Sequence, residues 1–250
     1  MSSGEHVKQA WDNSSKAWVA FVRTGKDYTR HGLNNPATFH LIGNVDRLVV
    51  LDLACGEGHN TRILARGGAM VTGIDFSESI VEYAKLEEEK EKLSIQYHVL
   101  DAAYLTGLAD NYFDLVTCFM SLQDIENYGK AISEVCRVLK ISGRFVFSIP
   151  HPCFEKIRLD GKKIDAANRY FEKAEYIIQW NMERLSIPFS TISFHRTLTD
   201  YFNALNRNNL HVSRLVEPRL TEKANQKYPY LQDALQRPQS VVIESVKVAL

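Results

Sequence analysis

Residues 48–61 read LVVLDLACGEGHNT, an apolar run that leads into a glycine-containing turn. The run at 48–53 lacks the alternation of a half-exposed strand and is typical of a parallel strand covered on both faces. Gly56 and Gly58 follow it, and without a Cβ their backbone can approach a ligand closely. The start of the next helix adds unpaired N–H groups that point outward. The sequence therefore predicts a strand, a tight turn and a helix, with a ligand site at the turn.

Strands and helices alternate beyond this turn as far as residue 150. Further apolar segments predict strands at residues 70–74, 95–100, 113–119 and 144–149. Between these strands, amphipathic segments predict three helices. The first covers residues 60–66, the second begins after the N-capping Ser77, and the third covers residues 128–139. Such alternation is typical of βαβ units. The predicted fold class is therefore α/β, a doubly wound and mostly parallel sheet with helices on both faces.

Other segments flank these alternating elements. An apolar stripe at helical spacing between Val7 and Val22 predicts an N-terminal amphipathic helix, which we interpret as packing on the core. Residues 152–196 form an aromatic-rich insertion. The rest of the sequence predicts a helix at residues 198–208 and a strand at residues 210–216. A long proline-containing loop at residues 217–239 and a final strand at residues 240–250 follow. The final strand is expected to pair antiparallel at an edge of the sheet.

The composition is that of an ordinary globular protein. Of 250 residues, 45% are hydrophobic and 24% are charged, and 30 basic residues balance 30 acidic ones. A chain without net charge has no bulk attraction to nucleic acid or anionic lipid, which disfavours both as partners. No apolar run reaches the length of a membrane span, and the first residues lack an apolar signal segment. We therefore expect a cytoplasmic protein that does not act at a membrane.

Acidic residues end the first three strands of the alternating region. Asp52 precedes the glycine turn, Asp75 ends the second strand and Asp101 follows the third. A carboxylate after the second strand can accept hydrogen bonds from both hydroxyls of a ribose, and Asp101 is placed to accept from an adenine amino group. A dinucleotide site would have a third glycine where Thr61 stands, and a carboxylate at Asp52 would repel its pyrophosphate. The pattern favours a cationic nucleoside ligand over a dinucleotide.

In combination these motifs resemble the class I S-adenosylmethionine-dependent methyltransferases that act on small molecules. The resemblance covers about residues 45–152 and extends through LDAAYL, FDLVTCF and RVLKISGRFVFSIPHP. It implies a Rossmann-like sheet of seven strands in the order 3-2-1-4-5-7-6, with the seventh strand antiparallel. It also implies an enzyme that uses S-adenosylmethionine and releases S-adenosylhomocysteine.

The resemblance further implies which residues hold the cofactor. Gly56 and Gly58 would pass close to its methionine part, with Asp52 beneath it, Asp75 on the ribose and Asp101 on the adenine. The full set of expected cofactor contacts is Tyr28, Arg30, Asp52, Ala54, Gly56, Gly58, Asp75, Phe76, Ser77, Asp101, Ala102 and Phe119. Ala54 departs from the family, which most often has glycine there. Tyr28 and Arg30 are included as a hypothesis that the N-terminal segment closes over the cofactor carboxylate.

Candidates for catalysis and acceptor binding follow the carboxyl ends of strands, where open α/β sheets bind ligands. We consider His151, after the fifth strand, and His195, before the late helix, as general bases, although structural roles in a turn or a cap also fit them. Expected acceptor contacts are Met120, Asp124, His151, Trp180 and Arg196. Arg196 would bind an anionic group, and a core role also fits Trp180. The four cysteines form no CxxC pair, and no metal site is predicted.

We expect residues 1–250 to form one methyltransferase domain. An N-terminal helical cap at about residues 5–40 and the insertion at about residues 152–196 would complete it, the insertion forming part of the substrate pocket. The predicted reaction is in-line transfer of a methyl group to a small-molecule acceptor. A methyltransferase acting on tRNA or protein, an NAD-linked oxidoreductase and a non-catalytic cofactor-binding protein are the alternatives. The sequence leaves the acceptor, and the choice between monomer and dimer, open.

Overall fold

The structure is a computed structural model that describes residues 4–159, 162–165, 169–180 and 187–249. Its α-helices are α1 (Glu5–Arg23), α2 (Asn35–Ile42), α3 (His59–Arg66), α4 (Glu78–Glu91), α5 (Tyr128–Val138), α6 (Leu198–Arg207) and α7 (Glu222–Lys227). Its strands are β1 (Val49–Leu53), β2 (Met70–Asp75), β3 (Gln96–Val99), β4 (Phe113–Phe119), β5 (Leu139–Pro150), β6 (Lys156–Leu159), β7 (Lys162–Asp165), β8 (Ala174–Trp180), β9 (Phe189–His195), β10 (Leu210–Val216) and β11 (Ser240–Lys247). A π-helical turn (Arg30–Asn34) leads into α2.

Seven strands form one sheet in the order β10-β11-β5-β4-β1-β2-β3. Strands β1 to β5 are mutually parallel, and β11 runs antiparallel to both β5 and β10. This arrangement confirms the predicted fold class and strand order. The final strand, β11, is antiparallel, as predicted, and lies between β5 and β10, as the strand order implied by the resemblance requires. Only the edge position expected from the segment alone was wrong. The first six residues of β11 are buried, whereas β10 at the edge is largely exposed.

Alternate side chains of the central strands point to opposite faces of the sheet. Leu51 packs into a cluster with α5 and α6, whereas Val50 packs into a second cluster with α2, α3 and α4. The two clusters cover both faces, which explains why the central strands are apolar without alternation. The carboxyl ends of β1 to β5 are thereby left at one edge of the sheet, where the turns after them converge.

The segments outside the sheet are more ordered than the sequence predicts. Residues 217–239 were expected to be a loop, but they contain α7 and a 3₁₀ turn (Pro229–Leu235). These elements bury Leu220, Leu231 and Ala234 against Leu33 of the π-helical turn. The apolar residues scattered between the prolines therefore form a small core of their own.

The insertion contributes two antiparallel pairs, β6 with β7 and β8 with β9. The β8–β9 pair packs against α1, where the Ser14 hydroxyl donates to the Ser190 carbonyl at 2.8 Å. The ring of Phe21 lies 6.4 Å from that of Trp180. The N-terminal helix and the insertion therefore meet above the carboxyl edge of the sheet. No helix among the described residues is long and apolar enough to span a bilayer.

Candidate active site

The turn between β1 and α3 has a backbone conformation that favours glycine. Gly56 and Gly58 have φ angles of 58° and 81°, in the left-handed region. A Cβ on Gly56 would lie 2.7 Å from the ring of Trp18, and one on Gly58 would lie 2.3 Å from the Tyr97 hydroxyl oxygen. Ala54 also adopts a positive φ, of 54°. The predicted ligand turn is therefore a tightly packed backbone cradle.

Asp52 lies buried beneath this turn and is held by two hydroxyl groups. Thr61 donates to its Oδ2 at 2.6 Å, and Thr117 donates to its Oδ1 at 2.8 Å. Burial raises the pKa of Asp52 to about 6, even though both hydrogen bonds lower it. Thr61, which replaces the third glycine of a dinucleotide site, thus serves to hold Asp52.

Asp75 joins the glycine turn to the start of α4. Its two carboxylate oxygens accept from the backbone N–H groups of Gly56 and Ser77, each at 3.0 Å. Burial raises its pKa to about 6. The Ser77 hydroxyl accepts from the Ile80 N–H as the cap of α4 and donates to Asp12. The Ser77 side chain therefore makes its hydrogen bonds within the protein.

These residues line a cleft of about 1130 Å³ at the carboxyl edge of the sheet. The predicted residues that line it are Arg30, Asp52, Ala54, Gly56, Asp75, Phe76, Asp101, Ala102, Phe119 and Asp124. Gly58, Tyr28 and Ser77 are not among its lining residues, and Tyr28 packs on Tyr228 with ring centroids 5.7 Å apart. The structure thus brings most of the expected cofactor contacts to one place. We call this the cofactor cleft.

The roof of the cofactor cleft comes from α1, whose two tryptophans were not among the expected cofactor contacts. Trp11 and Trp18 line the cleft, and their rings meet edge to face at 5.6 Å. We interpreted the apolar stripe of this helix as core packing. The available signal was the seven-residue spacing of the two tryptophans, which places them on one helix face.

Arg30 brings a cationic group to the same cleft. Its guanidinium lies over the Trp18 ring at 5.7 Å and pairs with Asp27 at 3.4 Å. Its Nη1 atom is buried and has no hydrogen-bond partner among the described residues. Since a buried donor without a partner is costly, this atom fits a ligand that carries an anionic group.

A second chamber of about 1740 Å³ adjoins the cofactor cleft. The residues that line both spaces are Trp11, Trp18, Arg30, Asn60, Phe119, Ser121 and Asp124. The insertion supplies further walls, with Glu155, Tyr176, Trp180 and Thr191. Met120, with a φ of 51°, also lines this chamber. We call it the acceptor chamber, and Phe119, Ser121 and Asp124 mark its junction with the cofactor cleft.

Two acidic side chains of the acceptor chamber have strongly shifted pKa values. Burial raises the pKa of Asp124 to about 8, with a further increase from Glu155. Burial also raises the pKa of Glu155 to about 7, although the Tyr176 hydroxyl donates to it at 2.5 Å. The sequence reasoning missed Glu155 and Tyr176, because they lie in a segment whose position over the sheet no local pattern reveals. Shifted carboxyls in a cleft are typical of functional sites.

The two histidines considered as general bases lie outside both spaces. His151 is buried and pairs through Nε2 with Glu217 at 2.9 Å, while its Nδ1 accepts from the Cys153 N–H. His195 donates from Nε2 to the Tyr170 carbonyl at 3.0 Å. Neither ring lines the cofactor cleft or the acceptor chamber. These contacts give both histidines a structural role in joining loops.

The Arg196 side chain also makes its contacts inside the protein. Its two terminal nitrogens donate to four backbone carbonyls, those of Leu122, Gln123, Ile125 and Glu126, at 2.6 to 3.3 Å. Its guanidinium also stacks 4.2 Å from the centre of the Tyr128 ring. These contacts hold the loop after β4 rather than present a cation to a ligand.

Residues 51–147 match the protein family described as a methyltransferase domain. An S-adenosylmethionine-dependent methyltransferase from Mesorhizobium loti has a similar structure, with a TM-score of 0.69 and 25% identity, covering 84% of this chain and 96% of that one. An uncharacterized protein of Haemophilus influenzae is 29% identical over 86% of this chain and 87% of its own length. The ubiquinone biosynthesis O-methyltransferase of Coxiella burnetii is 37% identical over 40% of this chain, but this match spans only 42% of that enzyme.

The fold and the domain match agree with the family resemblance of the sequence. Residues 51–147 match a methyltransferase domain, and this match together with the similar structure supports an S-adenosylmethionine-dependent methyltransferase with S-adenosylmethionine as its cofactor. The predicted family, enzyme class and cofactor are therefore confirmed, and the NAD-linked alternative is left without support. The site also fits the cofactor chemically, because the Gly56 backbone and the unpartnered Arg30 Nη1 face one cleft that also contains Asp75.

Proposed function

We propose that the protein transfers a methyl group to a small-molecule acceptor bound in the acceptor chamber. The observation that carries this proposal is the junction at Phe119, Ser121 and Asp124, where the chamber meets the cofactor cleft. In-line displacement needs the acceptor atom and the methyl group to face each other across such a junction. Holding both in line can supply about 7–11 kcal/mol of the barrier.

Different residues of the cofactor cleft bind different parts of the cofactor. Bound S-adenosylmethionine supplies an activated methyl group on a sulfonium centre. The Gly56 backbone lies against its methionine part, and Arg30 Nη1 donates to the carboxylate. Asp75 accepts from the ribose hydroxyls through lone pairs that its two backbone contacts leave free. Asp101 accepts from the adenine amino group, with Phe76 beside the ring.

The helical cap and the insertion exclude water from the reacting atoms. Trp11 and Trp18 of α1 cover the cofactor cleft, and Trp180 covers the acceptor chamber. Trp180 is fixed by stacking on Phe189 at 5.4 Å and by donating to the Thr191 hydroxyl at 3.0 Å. Removing water strengthens every electrostatic contact at the junction. We propose that these segments and the sheet form one catalytic domain.

The relatives support a small acceptor. The Coxiella enzyme is, by its name, an O-methyltransferase of ubiquinone biosynthesis. The acceptor chamber between the sheet and the insertion and the zero net charge favour a metabolite over tRNA or a protein.

The first prediction tests the cofactor site. We expect S-adenosylhomocysteine to bind the wild-type protein with micromolar affinity in a calorimetric titration, without competition from NAD. Asp101→Asn should weaken binding by about 10-fold, because the lost charge weakens a hydrogen bond worth about 1.5–3 kcal/mol. Asp75→Ala should abolish binding, and circular dichroism would check that the turn it supports still folds. Asp110→Asn is the matched control, because this carboxylate pairs with Arg137 outside the cleft.

Two results would contradict the proposal. One is a wild-type protein that binds NAD but not S-adenosylhomocysteine. The other is methyl transfer from labelled S-adenosylmethionine to bulk tRNA or protein with none to a metabolite mixture.

A further inference from the structure

Asp124 occupies a special place in the junction. It lines both the cofactor cleft and the acceptor chamber. Its Oδ1 atom is buried and lacks a hydrogen-bond partner within the described part of the chain. A buried carboxyl oxygen without a partner costs free energy in the empty protein. Such a cost is expected where the missing partner is a ligand.

The surroundings of Asp124 select for hydrogen-bond donors. Gln123 also keeps a buried, unpartnered side-chain carbonyl, Oε1, and it lines the acceptor chamber. Glu155 lines the same chamber. Arg30 is the one arginine or lysine among the described residues that line it, and Asp27 pairs with that arginine. An acceptor with a free carboxylate or phosphate would face mainly oxygens there, whereas a hydroxyl or an amine would find partners.

We propose that Asp124 is the general base of the reaction and that the acceptor atom is an O–H or N–H group bound in the acceptor chamber. This inference rests on the proposed function. It assigns the proton transfer to a residue on the loop after β4, rather than to either histidine. Asp124 lies at the junction itself, whereas His151 and His195 line neither space.

The step balances without a further reagent. For a hydroxyl acceptor, the Asp124 carboxylate accepts the proton as an oxygen lone pair forms the bond to the methyl carbon. For a neutral amine, the nitrogen lone pair forms this bond first, and the carboxylate then accepts a proton from the resulting ammonium. The bond between that carbon and the sulfonium breaks, its electron pair stays on sulfur, and S-adenosylhomocysteine results. The carboxyl then releases its proton through the chamber, which is open to solvent. An amine that arrives protonated loses its first proton on binding.

Charged and titratable groups face Asp124 from several elements, among them Cys118 on β4 and Tyr201 on α6. Burial is the main cause that raises the pKa of Asp124, and Glu155 before β6 raises it further. The polar side chains of Ser193 and Gln123 and the charge of Arg196 after β9 lower it. Tyr176 on β8 and Arg30 on the π-helical turn line the same chamber. With the pKa of Asp124 raised to about 8, the base form increases tenfold per pH unit up to that value. We expect kcat/KM for methyl transfer to rise accordingly and to level off above about pH 8.

The experiment compares three matched probes with S-adenosylhomocysteine bound. Phenol, benzylamine and benzoate share a ring and differ in the group that would meet Asp124. In ligand-observed NMR we expect phenol or benzylamine to bind and benzoate not to bind. The better probe identifies the acceptor as a hydroxyl or an amine. If it is benzylamine, calorimetry at pH 7 in buffers of different ionisation enthalpy should show about one proton released as the ammonium meets Asp124.

Asp124→Asn keeps the shape of the side chain but removes the base. We expect it to bind S-adenosylhomocysteine within about 3-fold of the wild type, to lose at least 10-fold in probe affinity, and to lose the titration near pH 8 in carbon NMR of the aspartate carboxyls. With an acceptor in hand, its kcat should fall by about 10²–10⁴. Asp114→Asn is the control, because this carboxylate lies at the other end of β4 against Lys140.

Three results would overturn the inference while leaving the cofactor site intact. They are tighter binding of benzoate than of both other probes, no binding of either protic probe, and an Asp124→Asn variant that keeps wild-type probe affinity. A failure of S-adenosylhomocysteine to bind the wild type would instead contradict the proposed function. The two failures are therefore distinguishable.

Discussion

Gly56 connects three separate parts of the chain through one residue without a side chain. Its N–H donates to Asp75 at 3.0 Å, and the missing Cβ leaves room for the Trp18 ring of α1. Its φ of 58° is strained for any residue with a Cβ. The residue therefore sets both the shape of the cofactor turn and the position of the helix that covers it.

At the residue scale we predict that Gly56→Ala weakens S-adenosylhomocysteine binding at least 10-fold. The added Cβ would lie 2.7 Å from the Trp18 ring, so the indole must move from the cleft. The free energy of unfolding should fall by about 1–3 kcal/mol because of the left-handed φ. Chemical denaturation and calorimetry measure the two effects.

Gly107→Ala is the matched control for this prediction. Gly107 also has a positive φ, of 89°, but a Cβ there would meet nothing within 4 Å. The Gly107→Ala variant should show the same backbone strain as Gly56→Ala but should bind S-adenosylhomocysteine with wild-type affinity. Equal loss of affinity in both variants would show that strain, rather than contact with Trp18, matters.

Several features at the residue scale follow from the sequence and others do not. The glycine turn and the acids Asp52 and Asp75 could be predicted, because a strand followed by a tight turn fixes them locally. The role of Thr61 could not, since its hydroxyl serves a carboxylate nine residues earlier across the turn. The sequence shows only that residue 61 is not a glycine.

At the scale of elements, the loop after β4 depends on a residue from the end of the insertion. Arg196, directly after β9, donates to four carbonyls of residues 122–126, which follow β4 by only a few positions. Only a short 3₁₀ turn (Leu122–Asp124) forms in this segment, and it leaves such carbonyls without backbone partners. Arg196 replaces the missing backbone partners and so fixes the backbone that carries Asp124.

We predict that Arg196→Ala lowers the free energy of unfolding by about 3–5 kcal/mol, because four carbonyls, in two buried and two partly buried hydrogen bonds, lose a charged donor. Arg196→Lys should recover only part of this, since an ammonium group cannot span four acceptors in a plane. Urea denaturation measures both variants. Arg47→Lys is the control, because the Arg47 side chain is 90% exposed. An Arg196→Lys variant with wild-type stability would show that charge alone holds the loop.

At the scale of the whole molecule, the fold keeps four carboxyls with raised pKa values around one site. They are Asp52 and Asp75 at about 6, Glu155 at about 7 and Asp124 at about 8. Each holds a proton in the folded state over a pH range in which the unfolded chain has released it. Such groups make the folded state less stable as the pH rises through their folded pKa.

We therefore predict that the free energy of unfolding falls by about 2 kcal/mol between pH 6.5 and pH 8.5, since one pKa unit corresponds to about 1.4 kcal/mol. His59 and His31 oppose this trend, mainly below pH 6.5 and to a small extent above it, because burial lowers the pKa of both, that of His59 to about 4. Urea denaturation at several pH values gives the profile. Asp124→Asn should flatten it, and a profile that rises over this range would contradict the assignment.

The sequence by itself determined the sheet and the cofactor turn. Apolar runs without alternation specify buried parallel strands, and the spacing of Asp52, Gly56 and Asp75 specifies the cleft, because these are local patterns along one βαβ unit. The packing of β11 inside the sheet, rather than at an edge, depended on which neighbours bury its apolar residues.

The tertiary structure alone decided the acceptor chamber. Its walls come from α1, the loop after β4 and the β8–β9 pair, which lie far apart in sequence and meet only when α1 packs on β9. The same packing assigned His151, His195 and Arg196 to internal contacts and brought Asp124 to the junction. No local pattern encodes such contacts, because hydrogen bonds and burial between distant segments arise only when the whole chain is folded.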